Sequence, residues 1–259
     1  MGADPASLIF FLGGHDLEMV TIRDLLEREA PGRFHDRNLS WGARISAYRR
    51  EVAECLANRR TPVLVELEDD LGLEPSAVVV VDHHGHEAGG ESPTSLHQVF
   101  GLLKLSRERW SRWYELVAAN DRAYIPGLIS VGASREEIER VRRADRAAQG
   151  ITSEEEEQAE RAVDKAESLA GGKLTLVRVE HSRLALVQDR LDPALGGPGV
   201  FNLLVVSREE VNFSGEGRLV RALDARFPGG WVGGDLPERG YWGRTGLLPD
   251  VVSFLVSTV

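Results

Sequence analysis

Short apolar runs alternate with amphipathic stretches in the first half of the chain. Residues 7–12 (SLIFFL), 62–67 (PVLVEL) and 77–81 (AVVVV) are the apolar runs. A β-branched run without polar alternation is typical of a parallel strand that is covered on both faces. Helices are expected between and after these runs, at about 18–29, 42–58, 94–105 and 108–119. This repetition predicts an α/β fold with a doubly wound, mostly parallel sheet.

The middle and the end of the chain have different patterns. Residues 134–149 and 153–170 are charged and favour helix, and each begins with a serine that can cap it. Strands are then expected at 174–179, 184–188, 201–206 and 251–256, with a helix at 217–226 and closely spaced glycines after it. We therefore expect a catalytic domain at 1–133, a helical connector at 134–172 and a smaller C-terminal α/β domain at 173–259 that binds substrate.

Composition narrows the class of protein. The 259 residues carry a formal net charge of −10, which argues against a protein that coats duplex DNA. An acidic enzyme can still bind one short phosphorylated ligand if divalent cations lie between the two.

No apolar run approaches the roughly 20 residues that span a bilayer. Cys55 is the only cysteine, so an internal disulfide and a cysteine-based zinc site are excluded. With no basic segment before the first apolar run, we expect a cytoplasmic protein; its oligomeric state stays open.

Acidic and imidazole side chains follow the predicted strands. The carboxyl ends of parallel strands meet at one edge of a sheet, so these side chains should gather there. Carboxylates this close repel one another, and divalent cations would resolve the conflict. Mixed Asp, Glu and His ligands suit Mn²⁺, and also Mg²⁺ or Zn²⁺. The residues in question are Asp16, Glu18, Glu66, Asp82, His83, His84 and Asp121.

Residues 78–84 (VVVVDHH) resemble the signature of the DHH phosphoesterase superfamily. The pair Asp16-Leu17-Glu18 resembles that family's acidic pair after the first strand, Glu66 its carboxylate before the signature, and Asp121 its later aspartate. The segment 92–96 (SPTSL) resembles the small-residue segment that enters the next helix. Two positions depart from the family, which usually has aspartate where this chain has Glu18 and Glu66. The interval from His83 to Asp121 is also shorter than is usual in that family.

The resemblance implies a metal-dependent phosphoesterase. It would hydrolyse a phosphodiester or phosphomonoester of a short oligonucleotide, a nucleotide or another small phosphorylated compound, with a water activated by two ions, Mn²⁺ or Mg²⁺. The implied metal ligands are Asp16, Glu18, Glu66, His83 and Asp121. Asp82 would orient His83, and His84 would contact the phosphate or protonate the leaving oxygen.

The C-terminal glycine clusters loosely resemble the substrate-binding DHHA1 domain. Arg239 and Arg244 lie among Gly233, Gly234 and Trp231. Glycine-rich turns cradle anions, arginine binds phosphate and aromatic rings stack on bases, which would make these residues substrate-binding. Tight turns with buried aromatics explain the same pattern equally well.

Two other functions remain open. A DHH scaffold that has lost catalysis could act as a nucleotide-binding sensor, an alternative that rests on the glutamates at positions 18 and 66. Residues 14–18 (GHDLE) also faintly resemble the His-Pro-Asp-Asp-Glu loop of zinc-dependent N-deacetylases. The Asp-His-His string has no place in the deacetylase scheme, so we rank that alternative lower.

Overall fold

The chain divides into two compact units, which we describe separately. The computed structural model describes residues 4–40, 42–83, 93–236, 238–246 and 249–259. Unit 1 is Met1–Gln149 and unit 2 is Gly150–Val259. Within the described ranges, no helix combines the length and apolar character needed to cross a membrane.

Unit 1 is built on a four-stranded parallel sheet with the order β2-β1-β3-β4. This arrangement confirms the predicted α/β class. The sequence pattern had not indicated β2, which is only three residues long. The strands are β1 (Leu8–Leu12), β2 (Phe34–Asp36), β3 (Thr61–Val65) and β4 (Val79–Val81). The helices of unit 1 are α1 (Leu17–Glu29), α2 (Arg49–Ala57), α3 (Ser95–Leu102), α4 (Arg112–Ser130) and α5 (Arg135–Ala148).

Both faces of this sheet are covered at β1 and β3, as the continuous apolar runs predicted, but at the edge strand β4 the prediction was wrong, since Val80 is 58 % exposed. Phe11 and Leu64 pack with Tyr48 and Val52 on the face that carries α2. On the opposite face Leu8, Phe10 and Leu12 are fully buried. Successive residues of a strand point to opposite faces, so a strand buried on both sides needs apolar residues throughout.

The two charged helices expected to form a connector lie in different units. Helix α5 belongs to unit 1, where it contacts α1 and α4. Its buried residues are Ile138, Val141, Arg142 and Asp145. The second helix, α6 (Ser153–Asp164), contacts elements of unit 2. The chain passes between the units at Gln149 and Gly150.

Unit 2 is a six-stranded mixed sheet with the order β5-β6-β7-β8-β10-β9. Only β6 and β7 are parallel neighbours; the other pairs are antiparallel. The strands are β5 (Glu167–Leu169), β6 (Leu174–Arg178), β7 (Leu203–Val206), β8 (Glu210–Glu216), β9 (Trp231–Asp235) and β10 (Arg239–Thr245). The helices after α6 are α7 (Leu184–Leu191), α8 (Gly217–Arg226) and α9 (Val251–Thr258).

Several predictions for unit 2 were wrong. The expected strands at 184–188 and 251–256 are the helices α7 and α9. A short apolar run does not distinguish a strand from a buried helix, and here packing decides: Leu186 and Leu255 are fully buried from helices. Residues 212–215 belong to β8, and the glycine-rich stretch forms the β9–β10 hairpin.

Candidate metal centre

The first acidic pair lies where β1 leads into α1. Asp16 is the N-cap of α1, and its Oδ1 accepts a hydrogen bond of 2.9 Å from the Met19 amide. Glu18 lies in the first turn, 2 % exposed, and its Oε1 accepts 3.1 Å from the Leu96 amide of α3. A capping aspartate and a first-turn glutamate suit the positive end of the helix dipole. The local sequence thus fixes both carboxylates at the carboxyl end of β1.

Glu66 follows β3 in an unusual backbone conformation. Its φ is 53°, in the left-handed region, and its amide donates to the Val81 carbonyl at 2.9 Å. The side chain Oε1 accepts 2.8 Å from the Ser95 hydroxyl. A Cβ on Gly13 would lie 2.2 Å from the Glu66 carbonyl oxygen, so only glycine allows this close approach. The strained residue is thereby held between the ends of β1 and β4.

His83 joins Glu18 and Asp121. Its Nε2 contacts Oδ2 of Asp121, on α4, and lies 3.9 Å from Oε2 of Glu18. One ligand atom from each of these residues lies within 4.8 Å of the others. The side chains of His83 and Asp121 are 6 % and 11 % exposed. We call Glu18, His83 and Asp121 the acidic triad.

Burial and mutual repulsion disfavour ionised carboxylates around the triad. Burial is the main cause that raises the pKa of Glu18 to about 7. Burial, and then Asp16 and Glu18, raise the pKa of Glu66 to about 8. Burial, followed by Glu18, Asp16 and Glu66, raises the pKa of Asp121 to about 10. These carboxyl groups are therefore close enough to repel one another, and a divalent cation would offset that repulsion. The donor set fits such an ion.

The other predicted catalytic residues are placed less fully. Asp82 is exposed, and its backbone carbonyl accepts 3.0 Å from the Gln98 amide side chain. His84 lies outside the described residues. The orientation of His83 by Asp82 and the action of His84 on the phosphate stay predictions.

Sequence reasoning missed a buried arginine behind the triad. Arg142 is 1 % exposed; its Nη1 donates to Asn120 Oδ1 at 2.8 Å and to Asp145 Oδ2 at 2.7 Å. Asp145 Oδ1 in turn accepts from the Leu17 amide at 3.4 Å. Asn120 precedes Asp121, and Leu17 lies between Asp16 and Glu18. Arg142 therefore ties together the two segments that carry triad carboxylates. The available signal was its position four residues after the apolar Ile138, which places the two side chains on one face of the helix.

The same arginine packs on a break in α4. Its guanidinium lies 3.8 Å from the centre of the Tyr124 ring. Ala123 and Tyr124 have non-helical dihedrals, with Tyr124 at φ 56° and ψ −141°. After this break the chain returns closely, since a Cβ on Gly127 would lie 2.1 Å from the Ala119 carbonyl oxygen. A bulky residue holds this conformation only where its surroundings enforce it.

The predicted substrate-binding residues lie on the β9–β10 hairpin of unit 2, on opposite faces. Trp231 pairs with Gly243, Gly233 with Tyr241, and Gly234 with Gly240. By strand alternation, Trp231, Gly233 and Arg239 share one face, whereas Gly234 and Arg244 lie on the other. Arg239 donates to the Phe201 carbonyl at 3.0 Å and lies 4.6 Å from the centre of its ring. The hairpin thus brings Arg239 to the same face as Trp231 but not Arg244.

Comparisons with known proteins identify the fold. No protein-family profile and no curated protein matches the sequence. An exopolyphosphatase-related protein from Bacteroides fragilis aligns with 96 % of this chain and 89 % of its own, at 12 % identity and a TM-score of 0.50. The DHH domain of a member of the s1p family of ribosomal proteins aligns with 96 % of this chain and 84 % of its own, at 12 % identity and a TM-score of 0.54. The chain therefore has the fold of DHH-domain proteins, which confirms the fold that residues 78–84 predicted.

Proposed function

We propose that this chain is a metal-dependent hydrolase of phosphoric esters. One observation carries the proposal: Glu18, His83 and Asp121 place one ligand atom each within 4.8 Å in a buried acidic site. The likeness to an exopolyphosphatase-related protein supports the same chemical class. Its substrate would be a phosphodiester or phosphomonoester of a short oligonucleotide, a nucleotide or another small phosphorylated compound.

The ligands proposed for the metal are the acidic triad together with Asp16 and Glu66. Oxygen and imidazole donors suit Mn²⁺ or Mg²⁺, and five such residues are enough for two ions. Bound cations would supply an acidified water and would stabilise negative charge on the phosphoryl oxygens.

The surrounding residues orient these ligands. The Ser95 hydroxyl holds Oε1 of Glu66 and the Leu96 amide holds Oε1 of Glu18, so the start of α3 fixes one oxygen of each carboxylate. The hydrogen bond from Ser95 also favours the ionised form of Glu66, because it lowers that pKa. We further propose that Asp82 orients His83 and that His84 contacts the phosphate or protonates the leaving oxygen.

We also propose that unit 2 carries a substrate-binding surface. Arg239 and Trp231 share one face of the hairpin with Gly233, where arginine could contact a phosphate and the indole could stack on a base. Gly234 and Arg244 lie on the opposite face, so their proposed contact with substrate would be separate from that of Arg239 and Trp231. If Arg239 only positions substrate, its loss raises KM more than it lowers kcat.

The experiment compares Glu18→Gln with Glu27→Gln, an exposed position on the same helix. Both proteins, together with Asp82→Ala and His83→Ala, are assayed with Mn²⁺ on a dinucleotide, a cyclic dinucleotide, a nucleoside 3′,5′-bisphosphate and pyrophosphate. We expect Glu18→Gln and His83→Ala to lose activity by about a hundredfold or more, and Glu27→Gln to keep it. Full manganese-dependent activity in both Glu18→Gln and His83→Ala would refute the proposal.

Nucleotide titration, the same assay with other divalent ions, and an assay on an N-acetyl sugar separate the alternatives. Tight nucleotide binding without turnover in Mn²⁺, Mg²⁺, Co²⁺ or Zn²⁺ would favour the sensor. Turnover of an N-acetyl sugar and of no phosphoric ester would favour the deacetylase. Turnover of pyrophosphate alone would exclude a nucleotide substrate and would contradict the proposed ester specificity, because pyrophosphate is a phosphoric anhydride.

A further inference from the structure

Unit 1 contains a cavity that the proposed hydrolysis does not use. Its volume is about 530 Å³, and it lies between α3, α4 and the segment that joins them. Ligand sites in proteins commonly enclose about 300–1,000 Å³, so this volume suits a small molecule of nucleotide size. Ala118, Ala119 and Val131 form small apolar parts of its lining, which leaves the space open.

One part of the cavity lining is a stack of aromatic rings. The His97 and Trp110 rings have centroids 4.1 Å apart with planes 26° from parallel. Phe100 packs edge-on against Trp110 at 5.1 Å. Burial, and then the nearby Arg122, lower the pKa of His97. Stacked ring surfaces of this kind favour a flat ring as ligand.

The border of the cavity carries an exposed positive charge in an acidic protein. Arg107 and Arg122 line the cavity with one carboxylate, Glu115, which pairs at 2.7 Å with Arg112. Arg107 is exposed, in a chain whose net charge is −10. Arginine at the border of an aromatic cavity favours a ligand that carries phosphate or carboxylate.

The cavity is close to the acidic triad but separate from it. His97 Nδ1 lies 3.0 Å from the Thr94 hydroxyl, and that hydroxyl also hydrogen-bonds Glu18. On α4, Asp121 belongs to the triad while its neighbour Arg122 lines the cavity. The two sites therefore share α3 and α4 and present different side chains.

We propose that this cavity binds a flat aromatic ring carrying an anionic group, of the size of a nucleoside monophosphate, between the His97–Trp110 stack and Arg107. The site is distinct from the metal centre and does not depend on the proposed hydrolysis. Binding would need both parts of the ligand, because the stack recognises the ring and the arginine recognises the charge.

The test is calorimetric titration of the full chain in EDTA with AMP, adenosine and inorganic phosphate as separate probes. Chelation removes any cation from the metal centre, so the titration reports a metal-independent site. Binding of AMP at one per chain, with adenosine and phosphate each at least tenfold weaker, is expected. AMP that fails to bind at millimolar concentration, or that binds no better than phosphate, would overturn the proposal.

Variants locate the binding site. Arg107→Glu reverses the charge at the border, and Val131→Trp fills the cavity. Each should weaken AMP binding by about tenfold or more. Arg143→Glu is the matched control, since Arg143 is exposed on α5 and does not line the cavity. Circular dichroism checks that each variant folds. His83→Ala should leave AMP binding unchanged. Loss of AMP binding in His83→Ala would place the bound AMP at the metal centre and overturn the proposal. AMP affinity that is equal in both cavity variants and in the unmodified protein would show that AMP binds outside this cavity.

Discussion

Arg142→Met should destabilise unit 1 far more than its position on a charged helix indicates. Arg142 is 1 % exposed and is paired at 2.7 Å with Asp145, itself 5 % exposed. Among the described residues, methionine would leave the buried Asp145 carboxylate with hydrogen bonds from two neutral donors, the Leu17 amide and the Gln149 side chain. Breaking a buried ion pair by removing one partner costs about 3–5 kcal/mol. Arg143→Met, one residue further and exposed, should change the free energy of unfolding by less than about 0.5 kcal/mol.

Urea unfolding followed by circular dichroism would measure both variants in EDTA. The double variant Arg142→Met/Asp145→Leu should be more stable than Arg142→Met alone, because it removes the uncompensated charge as well. Arg142→Met should also weaken Mn²⁺ binding by about tenfold or more, since Arg142 links the segments that carry Glu18 and Asp121. A loss of stability in Arg142→Met no larger than in Arg143→Met would refute this reasoning.

Four further predictions concern the metal centre and its supports. The pKa values of Glu18 and Glu66 are raised to about 7 and 8, so protons compete with the cation for these carboxylates. Mn²⁺ affinity, measured by calorimetry, should therefore rise from pH 6 to pH 9. The expected slope is about tenfold per pH unit for each proton that the ion displaces. The folded metal-free protein retains protons that the unfolded chain releases, so its melting temperature in EDTA should fall as pH rises from about 5 to 8, and a flat profile would contradict the raised values. Ser95→Ala removes a hydrogen bond that lowers the pKa of Glu66, so Mn²⁺ affinity at pH 7 should decrease while affinity at pH 9 changes less. Gly13→Ala should lower the free energy of unfolding by about 1–3 kcal/mol. Gly101→Ala, in open space on α3, is the control and should not destabilise the protein. Equal melting temperatures of the two variants would show that the chain relaxes around the new methyl group at position 13.

Local sequence was sufficient where short-range physics decides the structure. The apolar runs at β1 and β3 predicted a buried parallel sheet, because a strand covered on both faces has no position for polar side chains. Asp16 and Glu18 could be placed at the start of α1 because N-caps and first-turn acids interact with amides only a few residues away. The same logic failed for α7 and α9, whose short apolar runs fit a strand and a helix equally well.

By itself, then, the sequence determined that acidic and imidazole groups follow the strands and that the fold is of the DHH type. Only the tertiary structure decided that His83 meets Asp121 beside Glu18, and that Arg142 lies buried behind them. Asp121 is 38 residues from His83 in the sequence, so no local rule brings the two together. The physical reason is one of range. Capping and strand alternation act between neighbours along the chain, whereas the burial of a charge depends on which distant surfaces close over it.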